Sequence, residues 1–401
     1  MVERAPATLP AAPWTGRSDL AELVAALGPG NLRWVGGAVR DTLLGVPVKD
    51  IDAATLLHPA QVMERLQAAG IRSVPTGLDH GTVTAVLPGG PVEITTLRRD
   101  VATDGRRATI AFASDWREDA ARRDFTINAL YADPQTLALS DFFDGLDDLA
   151  ERRVRFIGDA RQRIREDHLR ILRYYRFQAR FGSALDAQAE EACAELAPML
   201  KGLSRERVGG ELLGLLALPD PASTLARMEQ RFVLRHVLPE LAAGGIAALG
   251  ALVGQEEAQD VHPDPLRRLA ALLPPDPKLA EQVAARLRLS AAQRKRLATA
   301  AARTDASQGA ETDPRALAYR LGREEAFDRL LLAGADTAPL ARWQAPVFPL
   351  KGRAIIARGI EAGPEVAQLL RAVEARWVEE GFPPEPRIAT LLDEALGAAG
   401  R

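Results

Sequence analysis

Two carboxylates two residues apart, Asp50 and Asp52, stand in the run GGAVRDTLLGVPVKDIDAAT over residues 36–55 and carry the clearest chemical signal in the chain. On a strand, residues i and i+2 project to one face, so the two acids share a side while Ile51 turns into a core. Carboxylates placed that close repel each other. One or two divalent cations best justify them, and a hard ion such as Mg2+ takes oxygen ligands while keeping room for water and substrate phosphates. Glu93, in PVEITTLR, shares a strand face with Thr95. It is a candidate third carboxylate for the same site, with a solvent-facing strand position as the equal alternative. Ahead of the pair, Gly36-Gly37 makes a tight turn into a short helix, a setting suited to triphosphate oxygens, to which Arg40 adds charge. Asp41 suits either the helix dipole or a nearby arginine.

These residues need a scaffold, and the hydrophobic pattern supplies a mixed one. Helices are predicted over 18–28, 38–44, 59–69 and 116–129, and strands over 32–35, 50–54, 82–87, 91–97 and 136–140. From about Glu151 onward, Gly/Pro-bounded blocks rich in Ala, Leu and Arg replace the strand-like segments, so the remainder reads as almost wholly helical. Pro219-Asp220-Pro221, Pro263-Asp264-Pro265 and Pro274-Pro275-Asp276-Pro277 separate these blocks, and Ala345-Pro346-Val347-Phe348-Pro349 reads as a linker. Their uneven lengths argue against an internal repeat.

At 401 residues the chain has room for two or three domains. A composition of 47% hydrophobic and 26% charged residues excludes a coiled coil, a collagenous chain and a largely disordered one. The net charge of −3 argues superficially against a polyanionic partner, yet residues 151–180 hold ten arginines against four acidic residues. The single Cys193 leaves no disulfide framework and no cysteine cluster for zinc, which favours a reducing, cytoplasmic setting. The first twenty residues contain no apolar run, so neither a signal peptide nor an anchor is expected, and no membrane-spanning stretch stands out elsewhere.

Taken in order, the motifs resemble the nucleotidyltransferase superfamily with a polymerase-beta-like palm, and most closely its class II tRNA nucleotidyltransferases and bacterial poly(A) polymerases. Asp50 and Asp52 match that family's metal-binding pair within GG-x-VRD-x-x-LG, and residues 122–130 match its RRDFTIN-A block. Asp144-Gly145 matches the connector after the last head strand, and Glu166-Asp167-x-x-Arg170-x-x-Arg173 matches the nucleobase-selecting motif. Leu203-Ser204-x-Glu206-Arg207 with Glu211 resembles the helix-stabilising motif that closes the matched half, about residues 31–215.

The resemblance implies an α+β fold: a polymerase-beta-like nucleotidyltransferase head with a mixed sheet (1–140), then an all-helical neck (141–215), body (216–344) and tail (345–401). It implies that Asp50 and Asp52 hold two Mg2+ ions, that Arg123, Asp124 and Asn128 recognise ribose and phosphate, and that Asp167 and Arg170 read the Watson-Crick edge of the incoming base. On one continuous helix Glu166, Arg170 and Arg173 share a face, and Asp167 is placed to hold the Arg170 guanidinium. Residues 98–118 resemble the family's flexible loop, with Arg98, Asp100, Asp104 and Arg106 as participants. The implied activity is addition of CMP, CMP and AMP from CTP and ATP to a tRNA 3′ end, the helical remainder supporting the acceptor and T arms. A poly(A) polymerase, an A-adding enzyme or a noncatalytic RNA-binding relative are the alternatives, and monomer and homodimer are both compatible with the sequence.

Overall fold

The computed structural model describes residues 8–103, 108–181, 185–303 and 313–398. Helix α1 (Ser18–Leu27) buries Leu20, Leu23, Val24 and Leu27, one stripe at helical spacing. Strand β1 (Leu32–Val35) then passes through Gly36 into α2 (Gly37–Leu43), and β2 (Ile51–Thr55) carries Asp52. After α3 (Pro59–Ala68) come β3 (Ser73–Gly77), β4 (Thr82–Leu87) and β5 (Gly90–Thr96). Strands β6 (Arg98–Thr103) and β7 (Ala108–Phe112) pair as a separate antiparallel ribbon, followed by α4 (Trp116–Ala121), β8 (Leu130–Ala132) and β9 (Leu139–Asp141).

The main sheet has seven strands in the order β3-β4-β5-β2-β1-β8-β9. It is mixed: β2 runs parallel to β5, which α3 and the β3–β4 excursion make possible, and every other pair is antiparallel. Val35, Ala54, Leu97, Ala120, Ala129, Tyr131 and Ile157 form one core cluster on this sheet, with Trp116, Phe142 and Phe143 packed on it. The mixed-sheet head followed by helices is the α+β class expected from the sequence.

Helices α5 (Gly145–Ala150), α6 (Ala160–Glu166), α7 (Arg170–Phe181), α8 (Ala187–Leu196), α9 (Arg205–Leu216), α10 (Pro221–Gln230) and α11 (Leu234–Val237) complete a compact unit that ends at Pro239. A second unit, from Glu240 on, is helical. In its tail, the helices Pro364–Glu379 and Glu385–Ala398 bury Val373, Trp377, Leu391 and Leu392. The Asp-Pro pairs that punctuate the helical half are helix starts: Asp220, Asp264, Asp276 and Asp313 each cap a helix with a side-chain oxygen, and the proline after each fills the first helical position.

Three expectations need correction. The helix predicted over 116–129 ends at Ala121, because Phe125 is extended, bridges to Phe156, and is buried among Phe156, Tyr174 and Phe177. Burying that ring outweighs local helix propensity, so the RRDFTIN block is a turn and not a helix. The stretch 98–118 is largely the β6–β7 ribbon with α4. Strands β3 and β8 were invisible to periodicity: β3 contains Pro75 and lies on the sheet edge, and β8 has three residues, too few to show alternation.

Candidate active site

Strand register sets the carboxylates. Asp52 pairs across to Val35 on β1 and to Glu93 on β5, so Asp52 and Glu93 stand side by side on neighbouring strands. Asp50 lies just before β2; it and Glu93 are exposed, and Asp52 is half-buried. Burial raises the Asp52 pKa, Glu93 and Asp50 add like-charge repulsion, and Arg123 opposes them. Among the described residues no group of three or more His, Cys, Asp or Glu side chains is arranged to hold a metal by itself. Asp50, Asp52 and Glu93 present carboxylate oxygens, a donor set that suits a hard cation completed by substrate oxygens, because Mg2+ is commonly held by one or two carboxylates plus phosphates.

Gly36 closes the other side of this corner. Its φ is 71°, and a Cβ there would lie 3.6 Å from Asp52 Oδ2 and 3.9 Å from Arg123 Nη1. The backbone, a carboxylate and a guanidinium thus meet at one point, and only glycine adopts that φ at little cost. Gly37 begins α2. Arg40 is buried rather than open to the corner: its Nε and Nη2 bind Asp41 and its Nη1 donates to Asn128 Oδ1. Asp41 also accepts from Arg180 at 2.9 Å, which settles its role as an arginine partner.

The RRDFTIN turn supplies the next layer. Asp124 is 8% exposed and accepts from Asn128 Nδ2 at 3.0 Å, from Arg173 Nε at 2.8 Å and from the Phe125 amide. Burial alone would raise its pKa, but Arg173, Asn128 and Arg170 outweigh that and hold it at about 2. Arg173 continues to Glu211 at 3.6 Å, and Glu211 binds Arg176 at 2.6 Å. Asp124 and Asn128 do meet as i and i+4, through a short 3-10 turn and not through an α-helix.

The neck motif is divided between two helices. Helix α6 ends at Glu166, Asp167 is extended, and α7 begins at Arg170, so the expected single helical face is broken. Arg170 is held by Glu166 at 2.8 Å and donates to the Arg163 and Arg122 carbonyls; Asp167 instead accepts from Arg207 at 2.7 Å. The expected Asp167–Arg170 pairing is thus replaced by Glu166–Arg170 and Asp167–Arg207. Glu206 is exposed on the first turn of α9, where negative charge favours the helix dipole.

Of the ribbon residues, Arg98 begins β6 and donates through Nη1 to the His80 carbonyl. Asp100 lies on β6 opposite Ile110, and Asp104 and Arg106 fall outside the described residues.

A protein-family model described as the poly A polymerase head domain matches residues 32–155, and one described as a probable RNA and SrmB-binding site of polymerase A matches 184–244. The mitochondrial CCA tRNA nucleotidyltransferase 1 of Mus musculus is 36% identical over 387 residues, covering 88% of this chain and 84% of its own length. The chain belongs to the CCA tRNA nucleotidyltransferase family. A CCA-adding enzyme of Streptococcus pyogenes is 43% identical over 188 residues, 46% of each chain. The structure of the Bacillus stearothermophilus CCA-adding enzyme in complex with CTP superposes with a TM-score of 0.75 at 27% identity, covering 95% of this chain and 98% of the other.

Three further acids carry more structure than their sequence context announced. Asp119, 1% exposed, holds Arg122, Arg123 and Tyr131; its i+3 and i+4 arginines were the available signal. Burial works against its charge, yet Arg123 and Arg122 keep it well below the usual carboxylate range. Asp148 accepts from Thr126 at 2.6 Å and from Arg155 at 2.9 Å, and Asp141, not Asp144, caps α5 through the Gly145 and Leu146 amides. Asp144 itself is left-handed, with φ 60°. A Cβ on Gly145 would fall 2.4 Å from the Thr126 carbonyl oxygen, so α5 approaches the RRDFTIN turn through a glycine. Gly145→Ala is expected to destabilise the protein by about 3 kcal/mol, because the colliding atom is backbone. Chemical denaturation checks this, and a change below about 1 kcal/mol would contradict the close approach.

Proposed function

We propose that this chain completes tRNA by adding CMP, CMP and AMP in turn from CTP and ATP, releasing pyrophosphate at each step. The observation that carries the reading is the convergence of Asp52, Glu93, Gly36 and Arg123 at one corner of the sheet, in a chain that the mouse relative matches over 84% of its own length. The 3′-hydroxyl oxygen of the RNA bonds to the α-phosphorus, the bond from that phosphorus to pyrophosphate breaks, and the hydroxyl proton passes to water. Asp50 and Asp52 would hold Mg2+, which when bound lowers the pKa of the attacking hydroxyl and neutralises charge on the leaving group.

The rest falls to the chain's own groups. Arg123 faces the Gly36–Asp52 corner and suits triphosphate oxygens. Asp167 would offer an acceptor to the base edge, and Arg170 those donors that Glu166 and the Arg163 and Arg122 carbonyls leave free, so that protein chooses C or A without a template strand. Arg207 sets the direction of Asp167, and both side chains are partly exposed, at 41% and 29%. Arg207→Ala is therefore expected to change stability by less than about 1 kcal/mol. The same substitution should lower discrimination among nucleotides by about tenfold, as read by competing CTP against UTP on one primer. Unchanged discrimination would separate Asp167 from base choice.

The helical remainder would support the acceptor and T arms of tRNA by backbone contacts and shape. No helix among the described residues is long and apolar enough to cross a membrane. A cytoplasmic setting rests on the lone, buried Cys193; the mouse relative is mitochondrial by name.

Poly(A) addition is the second reading, favoured by the name of the head-domain model. A tRNA lacking its last three nucleotides, supplied with CTP alone, ATP alone and both, separates the two. Two CMP additions followed by one AMP support CCA addition. Failure to add C sinks it, and unlimited A addition establishes the polymerase.

A further inference from the structure

We infer that Asp119 and Tyr131 form a positioning device that ties the root of the β6–β7 ribbon to the guanidinium of Arg123 and so sets the grip on the incoming triphosphate. The inference rests on the nucleotidyl-transfer reading. It begins with a costly arrangement. Asp119 is 1% exposed, and a carboxylate in such a place is tolerated only when its oxygens are saturated with donors. Here they are, and the donors divide by oxygen. Oδ1 accepts from the Arg98 amide at 3.3 Å and from Arg122 Nε and Nη2 at 2.9 and 2.7 Å. Oδ2 accepts from Tyr131 Oη at 2.7 Å and from Arg123 Nη2 at 3.1 Å.

The planar guanidinium turns those contacts into an aim. Arg123 Nε donates to Tyr131 Oη at 3.1 Å, so Nε and Nη2, one edge of the fork, are both fixed. Fixing two nitrogens of a rigid plane fixes the third. That third nitrogen, Nη1, is the one that faces Gly36 beside the Asp52 carboxylate. Tyr131 is held in turn by its ring, edge-on to Trp116 and Phe142 in the core.

The ribbon enters through Oδ1. Arg98 is the first residue of β6, its ladder partner is Phe112, and Leu97 just before it is anchored to Thr55 at the end of β2. One carboxylate therefore holds the ribbon's root with one oxygen and the phosphate-facing arginine with the other. A device needed only for stability would be served as well by an apolar cluster of the same volume. This one specifies a direction.

The test uses the full chain and three variants, with equilibrium binding of CTP and of cytidine as the readouts. Tyr131→Phe keeps the ring and removes the hydroxyl. It should weaken CTP by about tenfold, the worth of one charge-assisted contact, while cytidine changes by less than about twofold. Asp119→Asn should show the same triphosphate-selective loss and faster hydrogen exchange at the Arg98 amide. On an Arg123→Lys background, Tyr131→Phe should add less than about twofold, because both act through one guanidinium. Equal losses for CTP and cytidine, a lowered melting temperature with CTP affinity intact, or full additivity with Arg123→Lys would each overturn the inference. A wild-type protein that binds neither CTP nor ATP would instead overturn the proposed function.

Discussion

Asp52→Asn is expected to lower CMP and AMP transfer by at least about a thousandfold while leaving tRNA binding within about twofold of wild type. Asparagine preserves the volume and one acceptor oxygen of aspartate, so the register between Val35 and Glu93 has no steric reason to change. What disappears is a negative charge at the point where Asp50, Asp52 and Glu93 crowd together. Losing like-charge repulsion should leave the melting temperature equal or slightly higher, which marks the cost of Asp52 as functional. Asp50→Asn should likewise abolish transfer, its exposed position before β2 making any stability change small. Single-turnover transfer and filter binding on the same preparations give both quantities. A variant with wild-type folding that loses tRNA binding and transfer together would contradict a role confined to the reacting phosphate. Residual activity above about a tenth of wild type would remove Asp52 from the site.

The same acids show which parts of the molecule could be read in advance. The pattern around Asp50 to Thr55 and Val92 to Thr96 places both strands within a residue or two: β5 alternates cleanly between a buried and an open face, whereas β2, buried on both faces from Ala53 to Thr55, shows as a short apolar run. Alternation says nothing about which strands are neighbours, so the side-by-side pairing of Asp52 and Glu93 depended on β2 meeting β5 in parallel. The neck failed differently. Its spacing, with acids and arginines three and four apart, is that of a helical ion-pair ladder, and the one local sign of the break is Asp167 itself, whose carboxylate accepts from the Leu169 amide at 3.1 Å. Tertiary contacts add to it: Arg170 reaches back to the Arg122 carbonyl and Arg207 arrives from α9, forty positions along the chain. The RRDFTIN turn is legible as a motif and illegible as geometry for a related reason, since Phe125 is extended to fill a pocket made by Phe156, Tyr174 and Phe177.

Asp124 is where those tertiary contacts carry the largest stability consequence, and its substitution by asparagine should make the protein less stable at neutral pH and less sensitive to acid. The aspartate links Asn128 to Arg173, Asn128 accepts from Arg40, and Arg173 leads on to Glu211. Its folded pKa of about 2 lies below the ordinary 3.8, because Arg173 and Asn128 favour the ionised form more than burial disfavours it. A depressed carboxylate pKa contributes stability that is complete above the unfolded value and fades as the pH falls through the folded one. For this shift the contribution is about 2 kcal/mol at pH 7, and roughly half of it is gone by pH 3. Replacing the carboxylate by an amide also puts a donor where an oxygen accepted and leaves Glu211, at 3.6 Å, as the charged partner of Arg173, so the whole cost of Asp124→Asn at pH 7 should be about 3 kcal/mol. Urea unfolding of wild type and variant at both pH values checks the sign. The gap should narrow by about 1 kcal/mol between pH 7 and pH 3, and a gap that stays constant would show that Asp124 is not the group that titrates. The nucleotide site should feel the same change. Asn128 and Arg173 lose a charged partner at once, and Arg40 is tied to it through Asn128, so a fall in CTP affinity should accompany the lost stability, and the Asp52 variant separates the two effects by losing chemistry while keeping its fold.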